Sequence, residues 1–387
     1  MAKKTNYTKN GNDYFRVTLT TGRNEEGKPI RKEFYGSSKR DAESKRNEYI
    51  KMKELGIDPN LANHSLNEAM HTWLWEIEKS SGHKASTFQR YEGIYRNYIK
   101  GSDIATLKVG DIRALSLQRY YNKLAELDKT YSQINNLNKF LSKFFNYAVN
   151  EKYLIGNPCR STNIPVRKVE SEIEIFTNGE IKNIMEKLET DRIGVLTKLA
   201  LGTGARLGEL LALTWDDLDL DNTNVVINKS AKMNKIFKNE NEWEYEIKVD
   251  DPKTYSSNRK IPFPSELLGD IKKQRINNNI EKLKEGEGYV ENNLVFPSLA
   301  GTLMDESNVG KAHRKILKKS GVDHKKFHAY RHTFVSVMQS RGVPLETISK
   351  LIGHKTYRTT VDTYLHVSIE DAGQAINRMN DLFVKAK

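Results

Sequence analysis

His328-Ala329-Tyr330-Arg331-His332 lies near the end of the chain, and its spacing decides how the rest is read. His328 and Arg331 stand three apart, so on a helix they share one face. A guanidinium offers a planar fork of donors that matches two non-bridging phosphate oxygens. Upstream, Gly202-Thr203-Gly204-Ala205-Arg206-Leu207-Gly208-Glu209 sets a second arginine after a glycine turn, opening a helix that continues through Leu210, Leu211 and Leu213. A helix start adds its positive dipole end to the arginine's own charge, and Glu209 on the same face can orient the guanidinium. Downstream, Gly353-His354 precedes Tyr364 by ten residues. Such a set suits attack on a phosphodiester. The tyrosine supplies a nucleophilic oxygen, the arginines neutralise the phosphorane, and the histidines move protons. A phenol whose ordinary pKa is about 10 needs both the cationic pocket and a base.

Lys253, in Pro252-Lys253-Thr254, sits on a turn from which an ammonium can protonate a leaving oxygen; Lys260, close behind it, is its competitor. His324, His328 and His332 repeat every four residues, a stripe that metal sites also use. The stripe has no His-Glu-x-x-His, its one near carboxylate, Asp323, lies off it, and Lys325, Lys326 and Arg331 crowd it with positive charge. The reading is therefore a site without metal. The single cysteine, Cys159, excludes an internal disulfide framework and a cysteine-rich zinc site.

A net charge of +13 and a pI near 9.4 point to a polyanionic partner, and the scatter of basic residues favours nucleic acid over a membrane surface. No apolar run approaches the roughly 20 residues that cross a bilayer. The basic N-terminus, MAKKTNYTKNGNDY, lacks the apolar core of a signal peptide, so a cytoplasmic location is expected.

With 387 residues, two or three domains are expected, in a multidomain α+β architecture. Residues 1–57 read as a small three-stranded sheet plus one helix. Phe15, Val17 and Leu19 alternate with Tyr14, Arg16 and Thr18, a turn spans Gly22 to Gly27, a second strand runs Pro29 to Phe34, and Ser38 caps a helix reaching about Leu55. The polar face, with Tyr14, Arg16, Thr18 and Arg31, suits a β-ribbon in the major groove. Residues 65–158 read as a helical bundle. It opens with the Ser65-x-x-Glu68 capping box and a stripe of Leu66, Ala69, Met70, Trp73, Leu74 and Ile77, and closes with one from Ile134 to Ala148. Lys84, Arg90, Lys139 and Lys143 on it are candidate phosphate contacts. Residues 174–387 open with a second box, Thr177-x-x-Glu180, and read as mainly helical. Val225–Ile227, Trp243–Ile247 and Lys260–Pro262 are expected to make one small antiparallel sheet.

These strings, with Leu351-Ile352-Gly353-His354 and Thr363-Tyr364-Leu365-His366, resemble the tyrosine recombinases of the phage-integrase family in order and spacing, and the resemblance spans the chain. It implies that residues 1–57 are an arm-type DNA-binding domain, 65–158 a core-binding domain and 174–387 the catalytic domain. It implies that Arg206 and Arg331 bind the scissile phosphate and that Lys253 protonates the departing 5′ oxygen. His328 would then be general base toward Tyr364, His354 a donor to a phosphate oxygen, and Glu209 a support. Tyr364 would form a 3′-phosphotyrosyl link that stores the bond energy, so no cofactor, ATP or metal is needed. Two departures stand out. Tyr330 occupies the slot where leucine is usual, and Ser230 to Val249 is long for the hairpin of the catalytic domain.

The implied activity is site-specific DNA integration and excision of a mobile element, a phage or conjugative transposon. The implied partners are duplex attachment sites of core and arm type, a homotetramer on DNA, a DNA-bending protein and an excisionase. The amphipathic stripe Ile369, Ala372, Ala375, Ile376, Met379, Leu382 and Phe383 packs in cis against its own domain or, as the resemblance implies, docks on a neighbouring protomer. The alternatives are a type IB topoisomerase-like relaxing enzyme and a DNA-binding regulator without catalysis. The separate N-terminal module favours integration, because two DNA-binding modules suit bridging two distant sites.

Overall fold

The computed structural model describes residues 6–9, 12–167, 173–250 and 258–353. By its contacts the chain divides into two compact units: Met1–Glu170 with Ile236–Trp243, and Ser171–Lys235 with Glu244–Lys387.

The first unit begins with β1 (Tyr7–Lys9), β2 (Asn12–Arg23) and β3 (Pro29–Gly36), an antiparallel sheet in that order. The register Arg16↔Tyr35, Val17↔Phe34 and Thr18↔Glu33 gathers Phe15, Val17, Leu19 and Phe34 on one face. Helix α1 (Lys39–Glu54), capped by Ser38, packs there, its Tyr49 ring 5.4 Å from that of Phe34. The interior is thin. Gly36 and Ala42 are buried, whereas Phe15, Val17, Leu19 and Phe34 remain partly exposed.

After the single turn α2 (Pro59–Ala62) comes the bundle: α3 (Leu66–Thr72), α4 (Ala85–Ile94), α5 (Ala114–Glu126) and α6 (Tyr131–Asn150). The Ser65–Glu68 capping box forms as the sequence predicts. Trp73, Leu74, Leu137, Phe140, Phe144 and Phe145 lie in the core. Ile77 departs from its stripe and is 44% exposed. The reason is a π turn over Trp73–Glu78, whose extra residue per turn slips the phase and carries Glu78 inward in its place. The Ile236–Trp243 segment belongs to this unit, where the Phe237 ring sits 5.7 Å from Trp75 and 5.6 Å from Phe88.

The second unit opens with α7 (Asn178–Leu188), begun by the Thr177–Glu180 box, then α8 (Gly194–Thr203) and α9 (Leu207–Leu211). Strands β4 (Leu218–Asp219), β5 (Asn224–Ile227), β6 (Ser230–Phe237), β7 (Trp243–Asp250) and β8 (Arg259–Pro262) follow, with Ile236, Phe237 and Trp243 counting in the first unit. They make two sheets, β4-β5-β8 and β6-β7, where the sequence reading had one. The long run from Ser230 turns back on itself, so Trp243–Asp250 takes its own neighbour as partner and leaves Val225–Ile227 to β8. Helices α10 (Leu268–Glu285), α11 (Glu306–Lys319), α12 (Ala329–Ser340) and α13 (Leu345–Ile352) complete the described residues. α12 packs on α8. Leu196, Leu199, Leu210, Val225, Ile261 and Phe296 lie in the core of this unit. Among the described residues no helix is long and apolar enough to cross a membrane.

Candidate active site

Two glycine turns bring the motif residues together. Gly204 ends α8 at φ +65°, and a Cβ there would stand 2.6 Å from Cδ1 of Phe334, so a side chain is excluded on both counts. The turn hands the chain to Arg206, the N-cap of α9. Gly353 ends α13 at φ +66° in the same way. Arg331, on the first turn of α12, joins the two. Its Nη1 donates to the Gly204 carbonyl at 2.8 Å and its Nη2 to the Ile352 carbonyl at 2.6 Å, with the residue 2% exposed.

Arg206 is the more open of the pair, its side chain 39% exposed. Its backbone N–H donates to Glu209 Oε2 at 2.9 Å and its Nη1 to Glu209 Oε1 at 2.8 Å. The expected help from a helix dipole is small, because α9 has five residues. Position comes from Glu209 instead. Burial opposes ionisation of Glu209. The hydrogen bonds and charge of Arg259, with the charge of Arg206, outweigh it and hold the carboxyl below the ordinary carboxylate range.

His328 stands at the N-terminal end of α12, and its ring meets that of His332 edge-on at 4.7 Å. His324 falls outside the helix, so the three histidines do not form one stripe. Burial, then the neighbouring His332, Arg331 and Arg206, push His328 down to about 4. It is therefore a neutral imidazole at pH 7, able to accept a proton. His332 is lowered too, by burial and Arg331. Tyr330 turns inward, 1% exposed, with its ring 4.7 Å from Phe176 and 5.3 Å from His313, so the slot where leucine is usual is filled by packing.

Lys253, His354, Tyr364 and the stripe from Ile369 to Phe383 lie outside the described residues. Lys260 is described. On β8, Arg259 and Ile261 share one face and Lys260 takes the other, where it is half exposed and pairs with Asp219 at 3.1 Å. That face is opposite the one from which Arg259 reaches Glu209.

Sequence reading passed over Arg259. Its Nε donates to the Leu351 carbonyl at 2.7 Å, and its Nη1 and Nη2 to the Glu209 oxygens at 3.2 and 2.8 Å. The signal was present in Arg259-Lys260-Ile261, where strand alternation puts the arginine on the buried side with Ile261.

In the N-terminal sheet Arg16 pairs with Glu33 at 3.2 Å and lies over the Tyr7 ring at 4.8 Å. Tyr14, half-buried, shares that face, as do the exposed Thr18 and Arg31. In the bundle Lys84, Arg90 and Lys139 are exposed. Lys143 is different. Its ammonium is engaged with the buried Glu78 and with His83, the two elements α6 and the π turn supplying opposite charges. It is a counter-ion to Glu78, with its own side chain still 36% exposed. Cys159 is buried, which pushes its thiol up to about 12.

Residues 174–371 match the model of the phage integrase family, over just more than half of the chain. The chain belongs to the phage integrase family. Over 99% of its length it is 44% identical to a tyrosine recombinase XerC-like protein of Caldanaerobacter subterraneus subsp. tengcongensis, all of which is covered. The Tn1549 transposon integrase, solved in complex with transposon right end DNA, has the same fold, with a TM-score of 0.66 and 20% identity over 82% of this chain and 100% of that one. The lambda integrase tetramer bound to a Holliday junction matches with a TM-score of 0.56 and 16% identity, over 90% and 93%. As a tyrosine recombinase the chain is an enzyme that cuts and rejoins DNA.

Proposed function

We propose that this integrase breaks DNA at attachment sites through Tyr364, with Arg206 and Arg331 holding the scissile phosphate and His328 taking the phenol proton. Lys253 gives a proton to the departing 5′ oxygen, and His354 donates to a phosphate oxygen. A 5′ hydroxyl of the partner duplex then attacks the 3′-phosphotyrosyl bond, which returns Tyr364 and leaves exchanged strands. The observation that carries this reading is the convergence of Arg206, Glu209, His328 and Arg331 about the Gly204 and Gly353 turns. Charge fixed in place before the reaction stabilises the phosphorane without reorganisation. Lys253 is favoured over Lys260 because Lys260 occupies the far face of β8 with its own carboxylate.

The N-terminal sheet serves as the arm-site module through Tyr14, Arg16, Thr18 and Arg31, and residues 65–158 grip the core site with Lys84, Arg90 and Lys139 outward. Residues 174–387 then form the catalytic domain. Four copies act together in the host cytoplasm, as the lambda integrase tetramer on its Holliday junction supports, aided by a bending protein and an excisionase.

A suicide duplex, nicked beside the cleavage position in the element's own junction DNA, tests the chemistry. Wild type is expected to be trapped as a covalent adduct in EDTA, while Tyr364→Phe binds the duplex and yields none. An adduct that requires added divalent metal, or one that survives Tyr364→Phe, overturns the assignment. Supercoil relaxation without strand exchange between two attachment sites would instead identify a topoisomerase.

A further inference from the structure

Glu209 is a single carboxylate facing two guanidiniums. Arg206, which reaches toward solvent, gives it one side-chain nitrogen and a backbone N–H. Arg259, its side chain 6% exposed, gives it two nitrogens. Arg259 also donates to the Leu351 carbonyl, two residues before the α13 cap, and a Cβ on Gly353 would stand 2.9 Å from its Nη1. The buried arginine thus ties together α9, β8 and the Gly353 turn.

We propose that Arg259 is a positioning residue for DNA cleavage: it neutralises Glu209 so that the charge and the donor fork of Arg206 stay directed at the phosphate. A buried carboxylate demands a counter-ion. Without Arg259, the nearest is Arg206, which would close on Glu209 as a bidentate pair and lose both its field and its geometry toward DNA. With Arg259 present, Glu209 carries its full partner charge internally and acts on Arg206 only as a guide. Arg259 also holds the Gly353 turn against this carboxylate, which fixes where the chain leaves α13. The proposal rests on the recombinase reading, in which Arg206 binds phosphate.

The test measures single-turnover adduct formation on the nicked junction duplex at saturating DNA, with duplex affinity and thermal melting measured in parallel. Arg259→Gln is expected to slow adduct formation ~100-fold while affinity stays within about threefold, because the loss lies in the transition state. The double variant Arg259→Gln/Glu209→Gln removes the charge that Arg259 counters. It is expected to recover ~10-fold over Arg259→Gln, a rescue that a plain structural brace would not give. Arg259→Lys keeps the charge but not the fork, and is expected to fall between wild type and Arg259→Gln.

An Arg259→Gln rate within about threefold of wild type, or a double variant no faster than Arg259→Gln, overturns the proposal. Should Arg259→Gln fail to fold, Arg259→Lys decides, and a wild-type rate there overturns it as well. Absence of any wild-type adduct would refute the recombinase chemistry itself, whereas a trapped wild type beside an unaffected Arg259→Gln refutes only the role of Arg259.

Discussion

Gly204 illustrates how much of the site hangs on single residues. Its left-handed backbone and its contact with Phe334 leave no room for a methyl, and its carbonyl is one of the two that hold Arg331. Gly204→Ala is expected to destabilise the protein by about 2 kcal/mol, combining the left-handed penalty with overpacking. Thermal unfolding should show this directly, and the adduct rate should fall further than stability alone explains. The histidines make a pH prediction. His313, His328 and His332 are all held below the ordinary value near 6.5, in each case first by burial. The unfolded chain binds protons at 6.5 that the folded sites refuse until about pH 4 for His328. Stability from these groups is therefore complete above pH 6.5 and drains away as pH falls toward 4. Melting temperature should drop steadily between pH 7 and 5, and His313→Gln should make that slope shallower. Arg206, Glu209, His328 and Arg331 were legible because short spacings on one helix turn carry their relation within a few residues. Arg259 was not, since it is one among 63 basic residues and its partners lie 50 and 92 residues away.

At the level of elements, the legible features were those set by local chemistry. Ser65 and Thr177 cap their helices as their boxes predict, because a side chain and a backbone donor three residues apart settle the matter. The stripe on α6 is buried from Ile134 to Ala148 for the same local reason. Phase and pairing were harder. The π turn that turns Ile77 outward and Glu78 inward leaves no mark in composition. The partner of Trp243–Asp250 was a choice between two strands of similar character. The last residue of β6 has its own consequence. Phe237 is 7% exposed and packs on Trp75 and Phe88. Phe237→Ala is expected to cost about 3 kcal/mol, read as a lower midpoint in urea unfolding. A change of under about 0.5 kcal/mol, the scale of a neutral surface substitution, would mean that the ring adds nothing to that core.

Across the whole molecule, cores differ in depth. The bundle and the second unit each bury a continuous set of large apolar side chains, while the N-terminal sheet buries little beyond Gly36 and Ala42. Residues 1–57 made alone should therefore melt broadly and at low temperature, since so small a module hides too little surface to offset its chain entropy. A sharp, cooperative melt above 60 °C in circular dichroism would contradict that. The overall charge of +13 should make duplex affinity fall steeply with salt in any of these variants.

The lone thiol offers a practical dividend of its burial. Cys159 is the chain's single cysteine, enclosed and held in its unreactive protonated form. An alkylating dye should leave the native enzyme untouched and tag it only during excursions that open the bundle. Labelling kinetics at this one atom would then report local opening in the working recombinase, with no engineered probe, and cysteines introduced on the surface for fluorescence would be modified against a silent background.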